Sequence, residues 1–222
     1  MLDDQELYLD SVSHRYGVKQ VLSSVYITCK VGEVVGLLGR NGSGKSTLLQ
    51  IIFGSLQPHF KYARLNGKVF NKGYLTGKIG YLPQENFIPG HLKLEKLLNL
   101  FVHTYKDQIV SIDFIGNHLQ YTMDSLSGGM RRLIECFLIL YSDAAFVLLD
   151  EPFSQIAPLY IELIQHHIHL LKVKKGIIVT DHYYERVLEI SDRIVLIQNG
   201  CNYQINNRED LAVYGYIPSA LN

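Results

Sequence analysis

The chain has 222 residues, 47% apolar and 19% charged; this is enough for one large domain that needs no disulfide or metal staple, and too apolar for a disordered chain. Its 21 Lys and Arg balance 21 Asp and Glu, which argues against a protein that coats nucleic acid, where a basic excess is expected, yet leaves room for a local anion site. The three cysteines, Cys29, Cys136 and Cys201, are odd in number and far apart, so neither a disulfide framework nor a Cys-rich zinc site is expected and a reducing cytosol fits. The start, Met1 to Glu6, is acidic and lacks a signal-peptide core. No uninterrupted apolar run reaches the roughly 18 residues that would read as a membrane span.

Leu7 to Ser13 alternate apolar and polar residues, as do Val25, Ile27 and Cys29; both predict half-buried strands. Glu33 to Leu38 is a short apolar run that predicts a strand buried on both faces. It enters a Gly-rich loop, Gly39 to Gly44, and then a predicted helix, Ser46 to Phe53, stopped by Gly54. Asn66-Gly67 is a turn signal before a short strand, Lys68 to Phe70. From Glu85 to Tyr141 the pattern is helical, with Leu94, Leu97, Leu98 and Phe101 on one face and a second stretch at Gly128 to Leu140. Strands are predicted at Ala145 to Leu149, Gly176 to Thr180 and Arg193 to Ile197. Helices are predicted at Pro158 to Val173, with Pro at its start, and at Tyr183 to Ile190. Asn199-Gly200 reads as a hairpin turn, and the last twenty residues carry no strong signal. Helices alternating with buried strands predict an α/β fold with a mainly parallel sheet, an antiparallel N-terminal part and a helical insert.

Three motifs carry chemistry. Gly39-Arg40-Asn41-Gly42-Ser43-Gly44-Lys45-Ser46-Thr47 matches the phosphate-binding P-loop pattern between a strand and a helix. Its glycines let backbone N–H groups converge on a phosphate, Lys45 adds a cation, the Ser46 hydroxyl is an Mg²⁺ ligand, and the helix N-terminus contributes its dipole. Phe146 to Leu149 is a buried strand ending in Asp150 and Glu151. Ligands of parallel sheets lie at the carboxyl ends of strands, so Asp150 is the natural Mg²⁺ ligand and Glu151 the natural general base for water attacking a γ-phosphate. Leu126-Ser127-Gly128-Gly129-Met130 reads either as a helix start capped by Ser127 or as a second phosphate site built from Ser127, Gly128 and Gly129.

Together these motifs resemble the ATP-binding subunit of an ABC transporter, from about Tyr16 to Gly200, with Leu126 to Met130 resembling the LSGGQ signature and Met130 replacing its Gln. The resemblance implies a P-loop ATPase domain over residues 1–222, with a helical subdomain at roughly 85–141 and an N-terminal antiparallel β-subdomain. It also implies that Tyr16 stacks on adenine, that Gln84 in Tyr81-Leu82-Pro83-Gln84 reaches Mg²⁺ and the attacking water, and that His182 is the switch histidine at the γ-phosphate. The expected ligands are ATP, held by Tyr16, Gly39, Asn41, Gly42, Ser43, Gly44, Lys45, Ser46, Thr47, Ser127, Gly128 and Gly129, and Mg²⁺, held by Ser46, Gln84 and Asp150; Glu151, His182 and Gln84 are the expected catalytic residues.

The resemblance further implies a homodimer, or a heterodimer with a second ATPase subunit, in which ATP sits between the P-loop of one chain and Ser127 to Gly129 of the other. A separate transmembrane permease would hold the pair at the inner face of the cell membrane, and no nucleic acid is expected. Leu92, Leu94, Leu97, Leu98 and Phe101 are open between core and permease dock. Two other readings stand beside this one: a permease-free ATPase of an assembly or repair complex, and a non-enzymatic nucleotide sensor. Two departures matter, and the first bears on communication across the dimer. Ala157 stands where the family carries an Asp, and Leu133 where it usually carries a basic residue. His166, His167 and His169 invite a metal reading, but no nearby Cys or Asp completes a site, and a solvated or partner-facing surface is expected.

Overall fold

In the computed structural model, residues 5–218 are described; Met1 to Asp4 of the acidic start and the last four residues lie outside them. The chain opens with β1 (Glu6–Tyr16) and β2 (Lys19–Lys30), followed by β3 (Val34–Leu38), α1 (Lys45–Phe53), β4 (Phe60–Leu65), β5 (Lys68–Val69) and β6 (Ile79–Leu82). Four helices follow: α2 (Leu94–Phe101), α3 (Lys106–Val110), α4 (Asp113–Gly116) and α5 (Gly128–Leu140). The rest is β7 (Phe146–Asp150), α6 (Pro158–Lys172), β8 (Gly176–Thr180), α7 (Tyr184–Ile190), β9 (Arg193–Gln198), β10 (Cys201–Ile205) and α8 (Arg208–Val213).

The strands form two sheets. One is antiparallel, in the order β2-β1-β4-β5, and the other runs β10-β9-β3-β8-β7-β6. All neighbours in the second sheet are parallel except β10, which pairs antiparallel with β9. The central strands are buried on both faces and feed two cores. Val34 and Leu38 of β3, Val147 and Leu149 of β7, and Ile177 and Val179 of β8 pack toward α5 and α6. Their alternates, Val35, Leu37, Phe146, Leu148 and Ile178, pack with α1 and the antiparallel sheet. This period of two on a doubly covered sheet is why those strands read as unbroken apolar runs rather than alternations. α1 therefore lies between the two sheets, with Leu48, Leu49, Ile51 and Ile52 inside.

The structure departs from the sequence reading in four strands or helices. β4, β6, β10 and α8 are absent from it. β6 has four residues including Gly80, β10 pairs on one edge only and carries Asn202 and Gln204, and α8 has six residues. In β1 the alternation changes face partway: Leu7, Leu9 and Val12 are all inside because a bulge with Ser11 at φ 55 inserts one residue. α5 begins and ends where the period placed it, and Leu94, Leu97 and Leu98 of α2 are buried. The histidine triplet is not one solvated surface. His167 is buried, with its Nδ1 2.7 Å from the Tyr141 hydroxyl, and burial with His166 beside it lowers its pKa to about 4. His166 and His169 face solvent.

Candidate functional site

The carboxyl ends of β3, β6, β7 and β8 lie along one edge of the parallel sheet, where ligands of such sheets bind. β3 leads into the P-loop, β6 into Pro83-Gln84, β7 ends at Asp150 with Glu151 next, and β8 is followed by Asp181-His182. A cleft of about 400 Å³ opens there, lined among others by Tyr16, Asn41, Gly44, Lys45, Ser46, Gln84, Glu151 and His182. Gly44 caps the start of α1 at φ 109 and passes against Val21 and Leu22, so a side chain there would be both strained and crowded.

Lys45 is 8% exposed, and its Nζ donates to the carbonyls of Gly39 (2.7 Å) and Arg40 (3.2 Å). Burial lowers its pKa, while the carboxylates of Glu151, Asp150 and Asp181 work against that shift. The Ser46 hydroxyl donates to Asp150 Oδ1 at 3.0 Å, and the Tyr81 hydroxyl to Asp150 Oδ2 at 3.1 Å. Burial raises the Asp150 pKa against those two bonds, with Glu151 adding to the rise. This set of hard oxygen donors fits a small divalent cation, which would relieve the buried carboxylate.

Glu151 is 7% exposed and sits at φ 54. Its Oε1 lies 2.7 Å from His182 Nε2, and its Oε2 accepts from Gln84 Nε2 (3.0 Å) and Ser154 Oγ (3.2 Å). Gln84 therefore reaches Glu151 and not the Ser46–Asp150 pair. Tyr16 is half exposed at the cleft mouth; its hydroxyl is 3.5 Å from Thr47 Oγ1 and its ring meets His14 edge-on at 4.7 Å between centroids.

Ser127 caps α5, accepting from Met130 N at 3.3 Å, and Ser127, Gly128 and Gly129 do not line the P-loop cleft of their own chain. Gly128 instead lines an adjoining hollow with Gln84, Glu151 and Ser154. Leu133 is fully buried, and Ala157 is an exposed helix cap without a side-chain bond.

Four residues at the site escape the motif reading. Asp181 is buried and accepts from Phe153 N (2.8 Å) and Tyr183 N (3.0 Å), which ties the His182 segment to the one after Glu151. The strand-end rule that picks out Asp150 applies equally to Asp181. Arg132 donates to the carbonyls of Pro83, Asp150 and Glu151. Its spacing of four from buried Cys136 and Leu140 places it on the inner stripe of α5. Tyr81 and Ser154 carry no such signal.

The family described as ABC transporter matches residues 22–154 of the chain. A probable ABC transporter ATP-binding protein of Azorhizobium caulinodans is 33% identical over 83% of this chain and 71% of that one. The lipopolysaccharide export system ATP-binding protein LptB of Escherichia coli is 30% identical over 86% of each chain. A solved ATP-binding subunit of an ABC transporter superposes with a TM-score of 0.81 at 23% identity, over 96% of this chain and 95% of that one. Match and fold agree with the strand-end site, and the chain belongs to the ABC transporter family as one of its ATP-binding proteins.

Proposed function

We propose that this chain hydrolyses ATP as one half of a dimer that drives a separate membrane permease, with Glu151 as the general base. The observation that carries this reading is the Glu151 carboxylate held between His182 and Gln84 at the cleft that Lys45 and Ser46 line. Lys45 releases its two carbonyls to meet the phosphates, and the N–H groups of Gly42 to Thr47 converge with it on the same anion. Ser46 and Asp150 would hold Mg²⁺, which when bound would neutralise phosphate charge. Glu151 takes a proton from the attacking water, His182 holds the carboxylate in place and meets the γ-phosphate, and Gln84 orients the water. Tyr16 offers its exposed ring to adenine.

Ser127, Gly128 and Gly129 lie outside their own P-loop cleft; Ser127 and Gly128 are exposed at the capped helix start, while Gly129 is half-buried against Gln155 and Ile156. This suits an ATP carried by a second copy, with the γ-phosphate bridging the two chains. Among the described residues no helix is long and apolar enough to cross a membrane, so this reading assigns the membrane path to another chain. Phe87 and Leu100, exposed around α2, are the surface proposed to meet it, which would hold the pair at the inner face of the cell membrane. LptB belongs by name to an export system. The test is phosphate release by the purified chain with and without Mg²⁺. Mg²⁺-dependent turnover that is lost in Lys45→Ala is expected. ATP binding without turnover would favour a nucleotide sensor.

A further inference from the structure

Arg132 is 4% exposed and always charged, yet the nearest carboxylate to it, Glu135, lies 4.0 Å away. Its hydrogen bonds run instead to main-chain oxygens: Nη1 to Pro83 at 2.6 Å, and Nη2 to Asp150 at 2.6 Å and Glu151 at 3.1 Å. Burying a guanidinium is costly unless its partners are well placed, and these partners are the ends of β6 and β7. The peptide in front of Gln84 and the two peptides that carry Asp150 and Glu151 are gripped by one side chain. Glu151 needs that grip. Its φ of 54 is a region that non-glycine residues leave unless their surroundings hold them, and its N–H is tied on the other side to Thr180 O at 2.8 Å.

The same helix holds the far end of the Gln84 segment. Glu135 Oε1 accepts from Ile88 N at 3.3 Å, and Arg131 donates to Ile88 O. So α5 pins residues 83 and 88 together with the strand end that bears the base. Its other end is Ser127, five residues and about 7.5 Å of helix rise from Arg132. A helix is stiff over that distance, so a shift of its N-terminus is felt at Arg132.

We propose that Arg132 is a positioning residue through which the signature end of α5, in contact with the ATP of one site, sets the geometry of Glu151 and Gln84 in the other. This rests on the proposed ATP-bridged dimer. Closing the second site seats Ser127, moves α5 as a rigid body, and brings Glu151 and Gln84 of the same chain into register. Ala157 leaves this route without the acidic side chain that otherwise stands at that position.

The test is the ATP dependence of hydrolysis by the full chain and by Arg132→Lys, whose single ammonium cannot span Pro83 and both carboxylate-bearing peptides. Wild type is expected to be sigmoidal. In Arg132→Lys, kcat falls on the order of 10²-fold, as for a misplacement of about 1 Å; ATP affinity stays within threefold, since the P-loop is untouched, and the curve becomes hyperbolic. Arg132→Gln, which removes the buried charge and keeps one amide donor, gives the same readout should the lysine variant not fold. Wild-type kcat in a folded variant overturns the proposal, as does a lowered kcat with the sigmoid intact, which is the mark of plain structural support. A hyperbolic wild type that still hydrolyses ATP also overturns it, leaving the ATPase reading in place. Failure of Glu151→Gln to dimerise with ATP refutes the dimer itself.

Discussion

Lys45→Ala perturbs the site at its most connected cation. The side chain is buried, donates to two main-chain carbonyls and faces the carboxylates of Glu151, Asp150 and Asp181. On ATP binding it exchanges those carbonyls for phosphate, a charge-assisted contact worth about 1.5–3 kcal/mol. At about 1.4 kcal/mol per tenfold, ATP affinity should fall roughly 10- to 140-fold, and turnover should be lost. Stability should fall by about 1–3 kcal/mol from the two carbonyl bonds, with a pH signature. Burial raises the pKa of Asp150 and of Asp181 in the fold. A carboxyl with a raised folded pKa holds its proton more tightly in the native state, so its stabilising effect is complete below the unfolded value near 4 and is lost as pH rises through the folded value. Removing the Lys45 charge raises both pKa values further, so the variant should lose more stability relative to wild type at pH 8 than at pH 4. Titration calorimetry with ATP and Mg²⁺, phosphate release, and thermal melts at the two pH values read the three effects. ATP affinity within threefold of wild type with turnover retained would refute the P-loop assignment.

Ser46→Ala removes the hydroxyl that bonds Asp150, so ATP affinity should become nearly independent of Mg²⁺; a wild-type response to Mg²⁺ in calorimetry would contradict this. Tyr16→Ala should weaken ATP binding about 2- to 12-fold, the range of a lost aromatic stack of about 0.5–1.5 kcal/mol, while the half-exposed ring leaves the melting temperature almost unchanged. A lowered melt with unchanged affinity would make Tyr16 a packing residue. Ala157 is the cap of α6 with no side-chain bond of its own and Pro158 next. Pro158 has no N–H and Tyr160 N already donates to Ala157 O, so Ala157→Asp offers its carboxylate to the N–H of Leu159 and should stabilise by about 1 kcal/mol, or about 2–4 °C in a chain of this size. It should also raise the cooperativity of hydrolysis, and a wild-type melt with superimposable ATP curves would show that the position is neutral.

The site was legible wherever chemistry and local pattern coincide. Lys45, Ser46 and Asp150 announce themselves because a doubly buried strand reads as an apolar run and its end must carry the polar groups. Gln84 and His182 needed the family resemblance, since each is a lone polar residue after a short strand. Arg132 belongs to no motif, although its helical spacing places it inside. The shared edge on which Glu151, His182 and Gln84 meet is a property of the strand order β3-β8-β7-β6, in which β6 and β7 are 63 residues apart between Leu82 and Phe146 while lying side by side. Long-range pairing of this kind leaves no local trace. The bulge at Ser11 and the burial of His167 are likewise set by packing rather than by period.

The most direct test of the account is the mass of Glu151→Gln with saturating ATP and Mg²⁺, read by gel filtration with light scattering. The amide keeps the size of the side chain. Its oxygen accepts from Gln84 and Ser154, and its nitrogen donates to His182 Nε2 once that ring carries its proton on Nδ1, so the contacts around Glu151 are kept. What is lost is the ability to take a proton, which typically costs about 10²–10⁴-fold in rate. Ser46, Asp150 and Lys45 are untouched, so ATP still binds and then bridges two chains without being cleaved. The account predicts a stable ATP-dependent dimer from this variant, where wild type returns to monomer as ATP is consumed. A variant that stays monomeric at saturating ATP, or that hydrolyses at the wild-type rate, would contradict it.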